Sequence, residues 1–360
     1  MKRKMTAAAL AIAVTFSLCA CDDMDDYDSY DGYDDSDSDY DSDDSDGYND
    51  NYDDEYGDYS GYSDEDPYFN YEDSYDAYES TVTYGGDYPF DTSIGSAKEL
   101  SGKIAIVSMF INDRSSSWDF ENSEDLETVQ TIMNNLKVAS EYLEQVSSDY
   151  GHNVDFIYDW NEYNELFYNF SVNSDYTVLG QSQDDPYADD SQYSSDYMNF
   201  DNIMWDAISN NVPTADVLSK TGARQVVYMA YYNSPDSNTA RSCARNFYEG
   251  MEYPYEVCYI MIKENGITEP PACFAHEILH TFGAPDLYYA GDYGITQEYV
   301  DYVESIRLND LMRVDYDPDT YQYSYDSITN EITDITAYYI GLTDYSETVN
   351  EWGFEKSQHR

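Results

Sequence analysis

Residues 22–80 carry 26 acidic side chains, 13 tyrosines and no Lys or Arg, in a stretch built almost wholly of Asp, Ser, Tyr, Gly and Asn. A segment so poor in aliphatic side chains cannot bury enough apolar surface to offset the entropy of ordering, and its like charges repel one another. It is expected to be an extended, solvated spacer, which confines the fold to the residues C-terminal to it. Residues 81–360 hold 48 acidic and 13 basic side chains, a net charge of −35 within the −58 of the 360-residue chain. That length suits one large domain with a substantial core. The charge excludes a nucleic-acid partner, because phosphate neutralisation needs clustered Lys and Arg.

The N-terminus reads differently. Lys2, Arg3 and Lys4 precede an apolar run of 14 residues, Met5 to Leu18, too short to span a bilayer comfortably and suited to the core of a secretory signal. The run ends in Leu18-Cys19-Ala20-Cys21, which resembles the bacterial lipobox, where a cysteine after a small residue is acylated and becomes the mature N-terminus. The resemblance implies a lipoprotein signal peptide over 1–20, a lipid on Cys21 and an acidic tether over 21–95. The folded domain would then span 96–360 and be held by its membrane anchor at the outer face of the cytoplasmic membrane, or on the periplasmic side if the host has an outer membrane. Around Gly47 the tether lacks a full calcium loop, since Asp44 and Asp46 stand at the third and fifth positions but Ser42 at the first. Weak cation binding is all that is expected there.

Within the domain, Lys103–Ile111 is a short apolar run that reads as a buried strand, and Asp119–Ser147 carries Leu126, Val129, Ile132, Met133, Leu136, Val138, Leu143 and Val146 near helical period. Asn153–Trp160 reads as a second strand, and a strand, helix, strand opening favours a layered α/β arrangement with the helix on a sheet. Residues 161–200, dominated by Tyr, Asn, Asp and Ser, read as a long surface loop. Phe200–Ser209 is expected to be helical, Gln225–Tyr232 and Glu256–Ile262 to be strands, and Ile328–Leu342 to be a helix under the site. Pro270 and Pro271 mark a helix start, where proline costs least. Cys243, Cys258 and Cys273 are odd in number and form no C-x-x-C, so at most one disulfide is expected, with small buried thiols as the simpler reading.

The helix after the two prolines carries the chemistry. Residues 276–286 read His-Glu-Ile-Leu-His-Thr-Phe-Gly-Ala-Pro-Asp. On a helix, His276 and His280 project from one face and can reach a single metal ion, while Glu277 lies beside it as a base for water. A catalytic zinc usually takes three protein ligands, so one more is needed. Of the two other histidines, His359 is next to the C-terminus and His152 precedes a strand. Asp286 is the better choice, because Gly283 can adopt the left-handed conformation that reverses the chain towards the metal. Glu298 and Glu304, further along the chain, are the alternative third ligands.

These residues resemble the metzincin zinc peptidases, whose motif is H-E-x-x-H-x-x-G-x-x-H or D. His276, Glu277, His280, Gly283 and Asp286 match it position by position, in the Asp variant of snapalysin-like members. The resemblance implies an α/β (α+β) peptidase domain with a twisted sheet, a packed helix, an active-site helix and a smaller C-terminal subdomain below the cleft. It also implies a methionine in a tight turn beneath the metal, for which Met312 is the candidate. The tyrosine that some members carry two residues after that methionine is replaced here by Val314, leaving Tyr288, Tyr289 or Tyr316 to stabilise an oxyanion.

The expected function is a monomeric, surface-anchored zinc peptidase acting on peptide or protein, with Zn2+ polarising the scissile carbonyl and Glu277 activating the water. Activity should favour neutral or mildly alkaline pH, and the negative field should favour cationic or neutral substrates. The competing expectation is a non-enzymatic surface lipoprotein, an adhesin or binding scaffold, with a structural or vestigial metal site. A structural site would be closed by a fourth ligand, for which Cys273, one turn before His276, is the nearest thiol in sequence.

Overall fold

The computed structural model describes residues 88–89, 95–180, 190–246 and 253–356. The signal sequence, Cys21, the acidic spacer with its Gly47 segment, and His359 lie outside them. No described helix is long and apolar enough to cross a membrane.

The centre of the fold is a mostly parallel sheet. Strand β1 (Gly102–Asn112) pairs in parallel with β4 (Gln225–Tyr232), β4 with β6 (Val257–Met261), and β6 carries the antiparallel edge strand β5 (Cys243–Arg245). The other side of β1 is shared by two short parallel strands. Strand β2 (Val154–Ile157) takes the Gly102–Ala105 half and β3 (Phe167–Ser171) the Ser108–Asn112 half.

The three central strands are apolar almost throughout, as strands covered on both faces must be. Ile104, Ile106, Phe110, Val227, Met229, Tyr231, Cys258 and Ile260 face one layer, formed by α1 (Ser123–Asp149) and α4 (Pro271–Thr281). Their alternating neighbours, including Val107, Met109, Val226, Tyr228, Tyr259 and Met261, face α2 (Asp190–Asn211) and α3 (Thr214–Thr221). The result is a mixed α/β fold with helices on both faces of the sheet.

Two expectations need correction. Residues 161–200 are not one surface loop, since β3 and the first half of α2 lie there. The strand forms because Phe167 packs 4.9 Å from the Phe110 ring, amid Trp118, Phe120 and Trp160, and because Asn169 Nδ2 donates to the Phe110 carbonyl. The helix expected over Ile328–Leu342 shrinks to α6 (Asp334–Tyr339). Residues 328–333 have helical apolar spacing, but the buried Asp310 carboxylate accepts from the Thr333 N–H and hydroxyl and from Thr336 Oγ1, which fixes the chain in extended form before the helix. Tertiary hydrogen bonds outweigh periodicity here.

The C-terminal segment has no separate core: Leu311, Met312, Ile335, Tyr339, Val349 and Phe354 join the α1–α4 layer. Two further helices, α5 (Gln297–Ser305) and α7 (Glu347–Trp352), and a hairpin of β7 (Lys263–Glu264) and β8 (Ile267–Thr268) complete the α-helices and strands among the described residues.

Candidate metal centre

Helix α4 starts as the two prolines require, with Pro271 at its first position and every one of its residues buried. A largely apolar helix belongs inside a protein, and His276 on it lines a cleft. His276 and His280 are each less than a tenth exposed. Each ring is held by a main-chain carbonyl: His276 Nδ1 donates to Leu311 O at 2.8 Å and His280 Nδ1 to Ala284 O at 2.7 Å. A carbonyl can only accept, so both Nδ1 atoms carry hydrogen, and in the neutral rings both Nε2 lone pairs are bare.

Those two bare nitrogens lie 3.1 Å from each other. Gly283, at φ +93°, then reverses the chain as expected, with its N–H donating to His280 O. The turn returns Asp286, whose Oδ1 stands 3.1 Å from His276 Nε2 and 3.3 Å from His280 Nε2. Three Lewis bases packed this closely repel unless a cation lies between them. Donors about 2.0–2.1 Å from a tetrahedral zinc would be separated by about 3.3–3.4 Å, close to what is seen. The group fits a divalent ion, and it is the one cluster of this kind among the described residues.

The electrostatics couple the same three groups. Burial alone would push His276 down, but the hydrogen bond and charge of Asp286, with Glu277 beside it, push it up to about 10. His280 is raised against burial by the same carboxylate. Burial works against the Asp286 charge, yet the two rings hold its carboxyl well below the usual range. The site thus retains a positive charge strongly, which a metal can replace.

Glu277 comes directly after His276 on the helix and lines the same cleft. Burial raises its carboxyl, opposed by the nearby His276 and His280 rings. Its Oε2 is buried with no hydrogen-bond partner. A buried oxygen without a donor is costly, and such an oxygen marks a place where a donor is missing.

Met312 lies fully buried in the turn next to Leu311, the residue whose carbonyl orients His276. Leu287 N–H donates to Met312 O, tying the Asp286 loop to this turn, and Asp310 Oδ1 accepts from Met312 N–H. Asp310 was not singled out by sequence, since one Asp among so many gives no signal. Tyr288 is half exposed, stacks 6.2 Å from the His276 ring and hydrogen-bonds to Asp286. Tyr316 lines the cleft, whereas Tyr289 does not.

The structure does not bring Glu298 or Glu304 into the donor group. Glu298 is exposed in the first turn of α5, and Glu304 pairs with Arg313. Nor does Cys273 join it, although it lines the cleft. His152 is remote in role, with Nε2 bonded to Leu342 O. Cys243, Cys258 and Cys273 are all free. Neither protein-family models nor curated protein sequences match this chain.

Proposed function

We propose that the protein is a zinc-dependent peptidase of metzincin type, carried at the bacterial cell surface by a lipid on Cys21. One observation carries the reading: two imidazole Nε2 atoms and one carboxylate oxygen converge within 3.3 Å of each other, and the adjoining Glu277 has a buried oxygen without a partner. His276, His280 and Asp286 would hold zinc, which supplies a Lewis acid for a carbonyl and lowers the pKa of water.

The remaining steps belong to the chain. Glu277 takes the proton of the attacking water and passes it to the leaving amine, a task suited to a carboxyl raised by burial. Tyr288 and Tyr316 are placed to donate to a developing oxyanion, taking over from the missing tyrosine at position 314. Strand β5 ends the sheet beside the cleft, and among the described residues no strand pairs with its outer side. A free edge accommodates an extended peptide through main-chain hydrogen bonds, and Arg241 and Ser242, which lead into β5, line the cleft.

Three protein ligands favour an open, catalytic site over a closed structural one. The test is Glu277→Gln in the zinc-loaded protein. Cleavage of a broad peptide library should be lost while one zinc per chain is retained, and cleavage at the wild-type rate would remove Glu277 from its role.

A further inference from the structure

Beside the donor group, the cleft encloses about 360 Å³. Its charge is lopsided. Arg313 pairs with Glu304, and Arg241 lies 3.8 Å from Glu264. That leaves Glu269 and Asp315, which also line the cleft and to which no Lys or Arg is ion-paired among the described residues.

Glu269 is 7% exposed and sits just before the prolines of α4. Ser242 Oγ, which accepts from Met261 N–H, donates its own hydrogen to Glu269 Oε1 at 3.1 Å. The Cys273 thiol is the other contact, and a thiol is a weak donor. Asp315 lies three residues after Met312, is near enough for its charge to act on Glu269, and is also held above the usual carboxylate range by burial. Two under-compensated carboxyl groups thus line a space that Glu277, whose Oε2 is buried without a partner, also lines. A buried carboxyl either keeps its proton or is charged beside a cation that brings hydrogen-bond donors.

We infer that this cleft is a specificity subsite that receives a cationic side chain of the peptide substrate, lysine or arginine, between Glu269 and Asp315. The inference rests on the peptidase reading for its substrate class, but its chemistry is that of the two carboxylates alone. An ammonium or guanidinium there meets the Asp315 carboxylate and favours release of the Glu269 proton to solvent, whereas an acidic side chain meets only further carboxyl groups.

The test uses zinc-loaded protein carrying Glu277→Gln, titrated by fluorescence anisotropy with labelled hexapeptides. A lysine is moved through each position and compared with norleucine and glutamate at the same place. At one position, lysine should bind about tenfold more tightly than norleucine, the scale of one charge-assisted hydrogen bond, and glutamate more weakly than either. Glu269→Gln or Asp315→Asn should bring the lysine-to-norleucine ratio towards one. Asp315→Lys, at a less buried position, should reverse the preference in favour of glutamate. Equal binding of lysine and norleucine peptides at every position, or a preference untouched by the Asp315 variants, overturns the subsite. Wild-type protein that keeps the lysine preference in binding yet cuts none of the peptides would instead overturn the peptidase reading.

Discussion

Replacing Glu269 by Gln should flatten the pH dependence of folding stability, and the size of the effect is set by burial. Desolvation lifts the Glu269 carboxyl from its ordinary value near 4.5 to about 8, helped by the charges of Glu264 and Asp315. A folded-state pKa above the unfolded one means that the native protein holds a proton which the unfolded chain releases. Stability is then complete below about pH 4.5 and is lost as pH rises towards 8. The total is about 5 kcal/mol at about 1.4 kcal/mol per pH unit, and at 7% exposure little of it is screened. Glutamine is neutral in both states and can still accept from Ser242. Urea melts at pH 5 and pH 8.5 give the test, with metal status held constant. The loss of stability between the two should be smaller in the variant by at least about 2 kcal/mol. Because every other titrating group is common to both proteins, it cancels in the comparison. Equal pH dependence within about 0.5 kcal/mol would refute the buried, uncompensated state of Glu269.

The same geometry has other consequences. Asp286→Asn should weaken zinc binding by more than about a hundredfold in a chelator competition, since it removes a ligand rather than an outer support, while Glu298→Gln and Glu304→Gln should change it less than about threefold. In the metal-free site His276 is pushed up to about 10, so below that pH zinc must displace a proton from the rings. Zinc affinity should therefore rise about tenfold per pH unit between pH 6 and 8, and a flat profile would show that no such proton is held. Asp310→Asn should cost about 2–4 kcal/mol in denaturant melts, because the amide keeps a single acceptor oxygen and either the Thr333 or the Met312 N–H then faces an NH2 group. It should also lower zinc affinity about 10–100-fold by loosening the Leu311 carbonyl that orients His276.

Much of the fold was legible because the central strands are covered on both faces. Lys103–Ile111 and Gln225–Tyr232 stand out as mostly apolar runs, and they appear within β1 and as β4. Helix α4 was marked by Pro270 and Pro271, and the return of Asp286 by Gly283. The elements that escaped notice share one cause, the polar bias of the composition. Strand β3 rests on Phe167 meeting the Phe110 cluster, a long-range contact that no local pattern records. Helix α2 begins inside an acidic stretch that looks like the spacer. The edge strand β5 is only three residues long, and Arg245 on it is tied to Asp201 on α2 at 2.9 Å, again over a long sequence distance. Within the site, the three converging donor residues lay in one short motif. The carbonyls of Leu311 and Ala284 and the carboxyl groups of Glu269 and Asp315 come from separate segments that only the folded chain brings together.

The most direct test is zinc-edge anomalous diffraction from crystals of the zinc-loaded domain. The expected result is one zinc peak, coordinated by His276 Nε2, His280 Nε2 and an Asp286 oxygen at about 2.0–2.2 Å, with a fourth position open to the cleft. A zinc closed off by a fourth protein ligand such as Cys273, or one bound without Asp286, would contradict the proposed catalytic centre.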